Sequence, residues 1–233
     1  MKWKVLRRDF VDGVVPCRLG TKRHNITSGV AYVIENEYGE IAYSGPACAK
    51  NKDYVSNPQE VVPDFTSKLL GVDEMKGASG QGKQKGALSQ AEKELLKYKK
   101  AKFYLELLFV YIPALQLREE ESTGDEYLNF VIKLVLAGAT KESIQQNHMH
   151  VLLGIIETTE GTQFALNYML FAYTYLKQID FLLNIDGCHQ SDIDFLQNCR
   201  DYVVKHRKVS QGQFEQVLKK LKKHDRKMKY IFV

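Results

Sequence analysis

Three residues near the N-terminus have side chains that can hold a soft or borderline cation: Cys17, His24 and Cys48. Thiolate and imidazole are the donors zinc prefers, and a closed structural zinc site wants four of them in a tetrahedron. Cys17-Arg18-Leu19-Gly20 and Gly45-Pro46-Ala47-Cys48 lie on either side of a stretch rich in β-branched and aromatic residues. With His24 between them the local set reaches three. A closed site would therefore need a distant fourth donor, such as Cys188, His189 or Cys199. The competing reading makes Cys17 and Cys48 small buried hydrophobes. Four irregularly spaced cysteines make a poor disulfide framework, which favours free thiols or ligands.

A second kind of chemistry is electrostatic. Lys and Arg number 17 against 12 Asp and Glu over residues 1–100, 5 against 13 over 101–199, and 11 against 3 over 200–233. The three stretches thus carry +5, −8 and +8 within a chain of net charge +5. The basic end holds Lys219, Lys220, Lys222, Lys223, Arg226 and Lys227, with Arg200, Lys205, Arg207 and Lys208 shortly before. Two basic helix ends side by side would track a phosphate backbone through charge alone. Tyr230 and Phe232 could stack on bases, or pack the tail onto the protein. The plainer reading is that cations near helix C-termini oppose the helix dipole and keep the tail solvated.

Other motifs fall short of a mechanism. Gly77-Ala78-Ser79-Gly80-Gln81-Gly82-Lys83-Gln84 satisfies the phosphate-loop spacing but sets Gln84 where a magnesium-binding Ser or Thr is needed. It is better read as a basic linker whose Lys76, Lys83 and Lys85 can grip a nucleic-acid backbone. His148 and His150 are two residues apart and so point to different faces of a helix, unlike the i, i+4 pair of helical zinc sites. Glu119, Glu120 and Glu121 read as a solvated acidic turn. No paired carboxylates or nucleophile–base pair stand at a recognisable spacing, so a binding protein is expected here and not an enzyme.

The elements that must position these groups change character along the chain. Trp3–Val11 and Val14–Leu19 flank Asp12-Gly13, a hairpin-turn dipeptide, and Val30–Ile34 and Ile41–Tyr43 flank Asn36-Glu37-Tyr38-Gly39. Residues 51–64 read as irregular, with a short helix over Phe65–Leu70. Beyond Gly86 come helix start signals at Ser89, Thr123, Thr140, Thr159–Thr162, Ser191 and Ser210, each before an apolar periodic run. The fourth run, with Phe164, Tyr168, Phe171, Tyr175 and Ile179 on one stripe and more apolar residues elsewhere, should be the centre of a bundle. The expected fold class is α+β: a small β-rich module over 1–75, a Gly/Lys-rich linker over 76–88 and an all-α helical bundle over 89–233 with a basic tail.

On these residues the N-terminal segment, 14–52, resembles the zinc-knuckle or treble-clef-like modules of plasmid- and phage-borne proteins, whose first knuckle reads C-x-L-C-G and whose last reads G-x-x-C-A-K. The second cysteine of the first knuckle is absent here. A knuckle-like module joined to a helical bundle is also similar in architecture to the small type IV form of the CRISPR effector large subunit. That resemblance implies a non-enzymatic, nucleic-acid-binding subunit of a larger assembly, with DNA or RNA and other protein subunits as partners. The rival expectation is a mobile-element protein that blocks a host defence complex through its acidic middle stretch. No apolar run is long enough to cross a bilayer, and the start Met1-Lys2-Trp3-Lys4 lacks an apolar leader. No membrane partner is expected, and the expected location is cytoplasmic.

Overall fold

The computed structural model describes residues 2–20, 24–66, 89–118, 123–184 and 188–224. The fold is α+β: five strands in two small sheets, then six helices. The strands are β1 (Lys4–Phe10), β2 (Val15–Pro16), β3 (Asn25–Ile26), β4 (Val30–Glu35) and β5 (Ile41–Ser44). The helices are α1 (Gln90–Ala114), α2 (Glu126–Leu136), α3 (Lys141–Thr158), α4 (Leu166–Leu183), α5 (Gln190–His206) and α6 (Gln211–Lys223).

The β4–β5 hairpin forms as its turn sequence predicts. The Asn36 side-chain carbonyl accepts from the Tyr38 and Glu40 amides at 3.0 and 2.9 Å, while Gly39 takes the positive φ (+78°) that closes the loop. The hairpin expected at Asp12-Gly13 does not form. β1 pairs antiparallel with β4 instead, giving the order β1-β4-β5, and β2 pairs with β3. Gly13 lacks the positive φ that a two-residue hairpin turn demands, and Asp12 accepts from Lys177 at 3.3 Å. Trp3, Val5, Val11, Cys17, Leu19, Ile26, Ala31, Ile34, Ala49 and Val55 make the core of this β region. Residues 51–64 are irregular as expected, joined to the N-terminal strand by isolated bridges (Trp3 with Val55, Arg8 with Asp64) and by Asn57 on the Val5 backbone; the predicted helix over 65–70 lies mostly outside the described residues.

Helix caps were legible with exceptions. Ser89 makes a full capping box with Glu92, and Thr140 and Ser210 accept from the amides of Ser143 and Gln213. Asp125 caps α2 in place of Thr123, because its carboxylate reaches the Leu128 amide at 2.8 Å. Ser191 is not a cap; His189 holds that position without a side-chain bond. Thr159 and Thr162 do not open α4. Thr159 donates back to the Ile155 carbonyl at 2.6 Å and Thr162 closes a turn around Gly161 (φ +78°), so α4 begins only at Leu166. Pro113 is tolerated inside the last turn of α1, while His148 (φ −132°, ψ 24°) kinks α3 and packs edge-on against Phe130.

The packing groups these elements into two compact units. One comprises Met1–Lys68 with Phe171–Phe232, the other Leu69–Leu170 with Val233. In the first, the N-terminal strands pack with most of α4 through a buried polar contact. The Tyr173 phenol donates to the Asp9 carboxylate at 2.9 Å, and Arg7 Nε donates to the same oxygen at 2.9 Å. Burial, then the neighbouring Asp9 charge, holds the Tyr173 phenol well above its ordinary pKa, so it stays a donor. In the second unit α3 packs on both α1 and α2, around Leu105, Leu107, Leu108, Leu128, Ile144 and Leu152, all essentially inaccessible. Tyr104 donates to the Phe164 carbonyl at 2.8 Å within that unit.

Candidate metal centre

Two short backbone ladders bring the three N-terminal donors together. The β2–β3 pairing continues one residue beyond its strands: the Cys17 amide donates to the His24 carbonyl at 2.9 Å, which sets Cys17 and His24 opposite each other. The next amide, Arg18, donates to the Tyr43 carbonyl on β5 at 2.8 Å and ties this ribbon to the sheet. The chain then leaves β5 through Ser44 and Gly45 into a 3-10 turn, Cys48–Lys50, closed by the Ala49 amide on the Gly45 carbonyl at 3.0 Å. That turn returns Cys48 to Cys17. The Cys17 and Cys48 sulfurs and an imidazole nitrogen of His24 all lie within 4.8 Å of one another.

This spacing suits a cation. With Zn–S near 2.3 Å and Zn–N near 2.0 Å, donors on a tetrahedron sit about 3.5–3.8 Å apart, so closing onto an ion needs a contraction of about 1.3 Å at most. Burial is graded across the site: Cys17 is buried in the β core, Cys48 is half-buried and His24 is exposed. The Gly45 amide donates to the Cys17 sulfur at 3.4 Å, the kind of outer contact that steadies a thiolate. Burial raises the Cys48 pKa, and the charge and hydrogen bond of Cys17 raise it further. A divalent cation bound between the two sulfurs would favour the thiolate form that metal ligation requires.

The glycines at the site carry a signal that the spacing of cysteines alone does not. Gly20 stands three residues after Cys17, where the first knuckle carries its second thiol, and Gly45 stands three before Cys48, as the glycine of the last knuckle does. A Cβ on Gly20 would lie 3.6 Å from the Cys48 sulfur, and one on Gly45 would lie 3.3 Å from His24 Nε2. Both missing side chains would have pointed at the cluster.

The distant donors are not brought in. Among the described residues no other His, Cys, Asp or Glu completes the group. Cys199 is buried on α5 against the Tyr175 phenol, and burial raises its pKa. His189 caps α5, where its charge is felt by Asp192, and Cys188 precedes it.

The basic residues are separated by the fold. The link between α5 and α6 spans only residues 207–210, with Arg207 in the left-handed region (φ 55°) closing α5. The helices therefore run antiparallel: Lys220, near the end of α6, pairs with Asp192 at the start of α5 and lies 5.5 Å from the Phe195 ring. Exposed Lys205 and Lys208 consequently sit at one end of the hairpin and exposed Lys219, Lys222 and Lys223 toward the other. A side-by-side pair of basic ends is thus corrected to two clusters separated by about 20 Å, the length of a 13-residue helix. Arg200 pairs with Asp180 of α4 at 3.1 Å. Lys76, Lys83, Lys85, Arg226 and Lys227, with the phosphate-loop-like segment, lie outside the described residues.

Comparison with protein families, with curated proteins and with solved structures finds no match for this chain. Among the described residues no helix is long and apolar enough to cross a membrane.

Proposed function

We propose that this chain is a metal-binding protein whose N-terminal β region holds one zinc-class cation on Cys17, His24 and Cys48. The observation that carries this reading is the convergence of three such donors to within 4.8 Å from separate segments of the fold. Hydrophobic packing accounts for Cys17 and for part of Cys48, which packs against the same core, but it does not account for the exposed His24 imidazole meeting both sulfurs. The resemblance of residues 14–52 to zinc-knuckle modules agrees with this assignment. The ion would crosslink the β2–β3 ribbon to the turn after β5, a role suited to a small module.

The test uses the full chain, stripped with a chelator and reloaded with Zn2+, with metal counted per chain after gel filtration. One ion per chain is expected, falling to near none in Cys48→Ser and strongly reduced in His24→Ala, two positions outside the tightest part of the core. Equal metal content in wild type and both variants would overturn the assignment.

A second reading, nucleic-acid binding within a larger protein–nucleic-acid assembly, is supported by the exposed lysines of the α5–α6 hairpin. Clusters about 20 Å apart match about six nucleotide steps of a B-form strand at 3.4 Å each. The similarity in architecture to a CRISPR effector large subunit points the same way. Replacing Lys219, Lys222 and Lys223 with Glu should abolish a low-salt shift of labelled DNA or RNA. A shift that is absent from wild type at low salt would end this reading.

A further inference from the structure

We infer that the cation on Cys17, His24 and Cys48 keeps one coordination position open, beside Gly20 and Gly45, for a small exogenous donor of the thiolate or imidazole class. This rests on the metal-binding reading above and extends it. Three protein donors leave a four-coordinate ion one ligand short, and a site with three protein ligands and an open fourth position is the arrangement that accepts exogenous groups. Among the described residues no titratable side chain joins the three. Two described positions beside the cluster, Gly20 and Gly45, carry no side chain, and a Cβ at either would lie 3.6 or 3.3 Å from one of its donor atoms.

Ser44, a polar side chain in contact with the Cys17 sulfur, is committed elsewhere. Its hydroxyl donates to the Gly45 carbonyl at 3.1 Å and accepts from the Cys17 thiol at 3.9 Å. Access is provided by the gradient of burial, since the exposed His24 edge opens the site to solvent while Cys17 closes its floor. The donor class follows from the ion's own set: two thiolates and an imidazole neutralise a divalent charge and select a soft or borderline fourth ligand over a hard carboxylate.

Cobalt(II) supplies the readout, because its visible bands report coordination number and ligand type. The full chain is loaded with one Co2+ and titrated with imidazole and, separately, with 2-mercaptoethanol. Each should shift the visible bands with a stoichiometry of one donor per ion, and the loaded chain should sediment as a monomer throughout. Bands that form on loading but ignore both donors would overturn the open position while leaving the metal site standing. Dimerisation on loading would also overturn it, since a second copy would then be the donor. Failure to bind Co2+ at all would remove the metal reading itself.

A variant locates the vacancy. Gly45→Cys is preferable to Gly20→Cys, because Gly20 has φ +99°, which a cysteine would adopt under strain, whereas Gly45 does not have positive φ. The added Cβ would lie 3.3 Å from Nε2 of His24, itself a proposed ligand, so the test is read beside Gly45→Ala, which adds the same crowding without a thiol and should keep the response to both donors. Gly45→Cys should bind Co2+ and lose the response to both donors; an undiminished response would overturn the placement beside the glycines.

Discussion

The N-terminal β region and the α1–α3 packing solve the problem of staying folded in opposite ways. The helices bury long aliphatic stretches, with Leu105, Leu107, Leu108, Leu128, Ile144 and Leu152 fully inaccessible. The β region has two sheets, one only two residues deep, and a core of mixed small and large residues in which a cysteine takes part. It compensates with polar crosslinks. Asn57 pairs with both backbone groups of Val5 at 2.8 and 2.9 Å, Asp9 receives Arg7 and Tyr173, and three metal-class donors meet at one point. The chemistry therefore sits where apolar packing is thinnest. A cation bound there would act as a staple in the part of the molecule that most needs one.

This contrast can be broken by experiment. The largest effect is expected in the helices: Leu108→Ala should cost about 2–5 kcal/mol by denaturant unfolding, through lost burial and the cavity left behind. Its metal content should equal that of wild type. A loss of bound metal in that variant would show that the two regions are not independent in this respect.

Zinc should act in the reverse sense. At a free concentration of 100 times its dissociation constant, a ligand bound only by the native state stabilises it by about 2.7 kcal/mol. Hydrogen exchange should show that gain at residues 15–20 and 41–50 and little change at 101–118. Equal protection in both would erase the distinction drawn here.

A smaller effect isolates the polar crosslinks. Tyr173→Phe removes one donor from a buried carboxylate and should cost roughly 1–3 kcal/mol, since Asp9 would stay buried with one partner fewer. A neutral result would mean that Arg7 and the Phe10 amide together satisfy it.

The smallest concerns pH. The hydrogen bond from Lys220 lowers the Asp192 pKa, with the Lys220 charge contributing as well. A carboxylate depressed in the folded state adds stability above its unfolded pKa and loses it as pH falls through the folded value. Acid should therefore loosen the α5–α6 hairpin below about pH 4, the ordinary carboxylate range. Asp192→Asn should flatten that part of the stability profile, measured by helix signal against pH. The contribution at neutral pH should be small, because solvent still reaches both half-buried side chains.

How much of this was readable beforehand varies by element. The α+β class, the β4–β5 turn and the caps at Ser89, Thr140 and Ser210 follow from local rules, because each depends on residues within a few positions of one another. The hairpin at Asp12-Gly13 and the start of α4 were misread for the complementary reason. Local turn chemistry was present at both, but Asp12 is drawn to Lys177 and Thr159 to Ile155. The layout of the basic residues was likewise set by the fold: nearness along the chain suggested nearness in space, and an antiparallel hairpin separates the two clusters.

Donor types, the missing knuckle cysteine and the regional charge are properties of the sequence alone, because residue chemistry does not depend on folding. Which donors meet does depend on it. The β2–β3 ladder and the turn after β5 bring Cys17, His24 and Cys48 to one point, while Cys199 is held against Tyr175 instead. Pairing between strands distant in sequence made that selection, and no spacing along the chain encodes it.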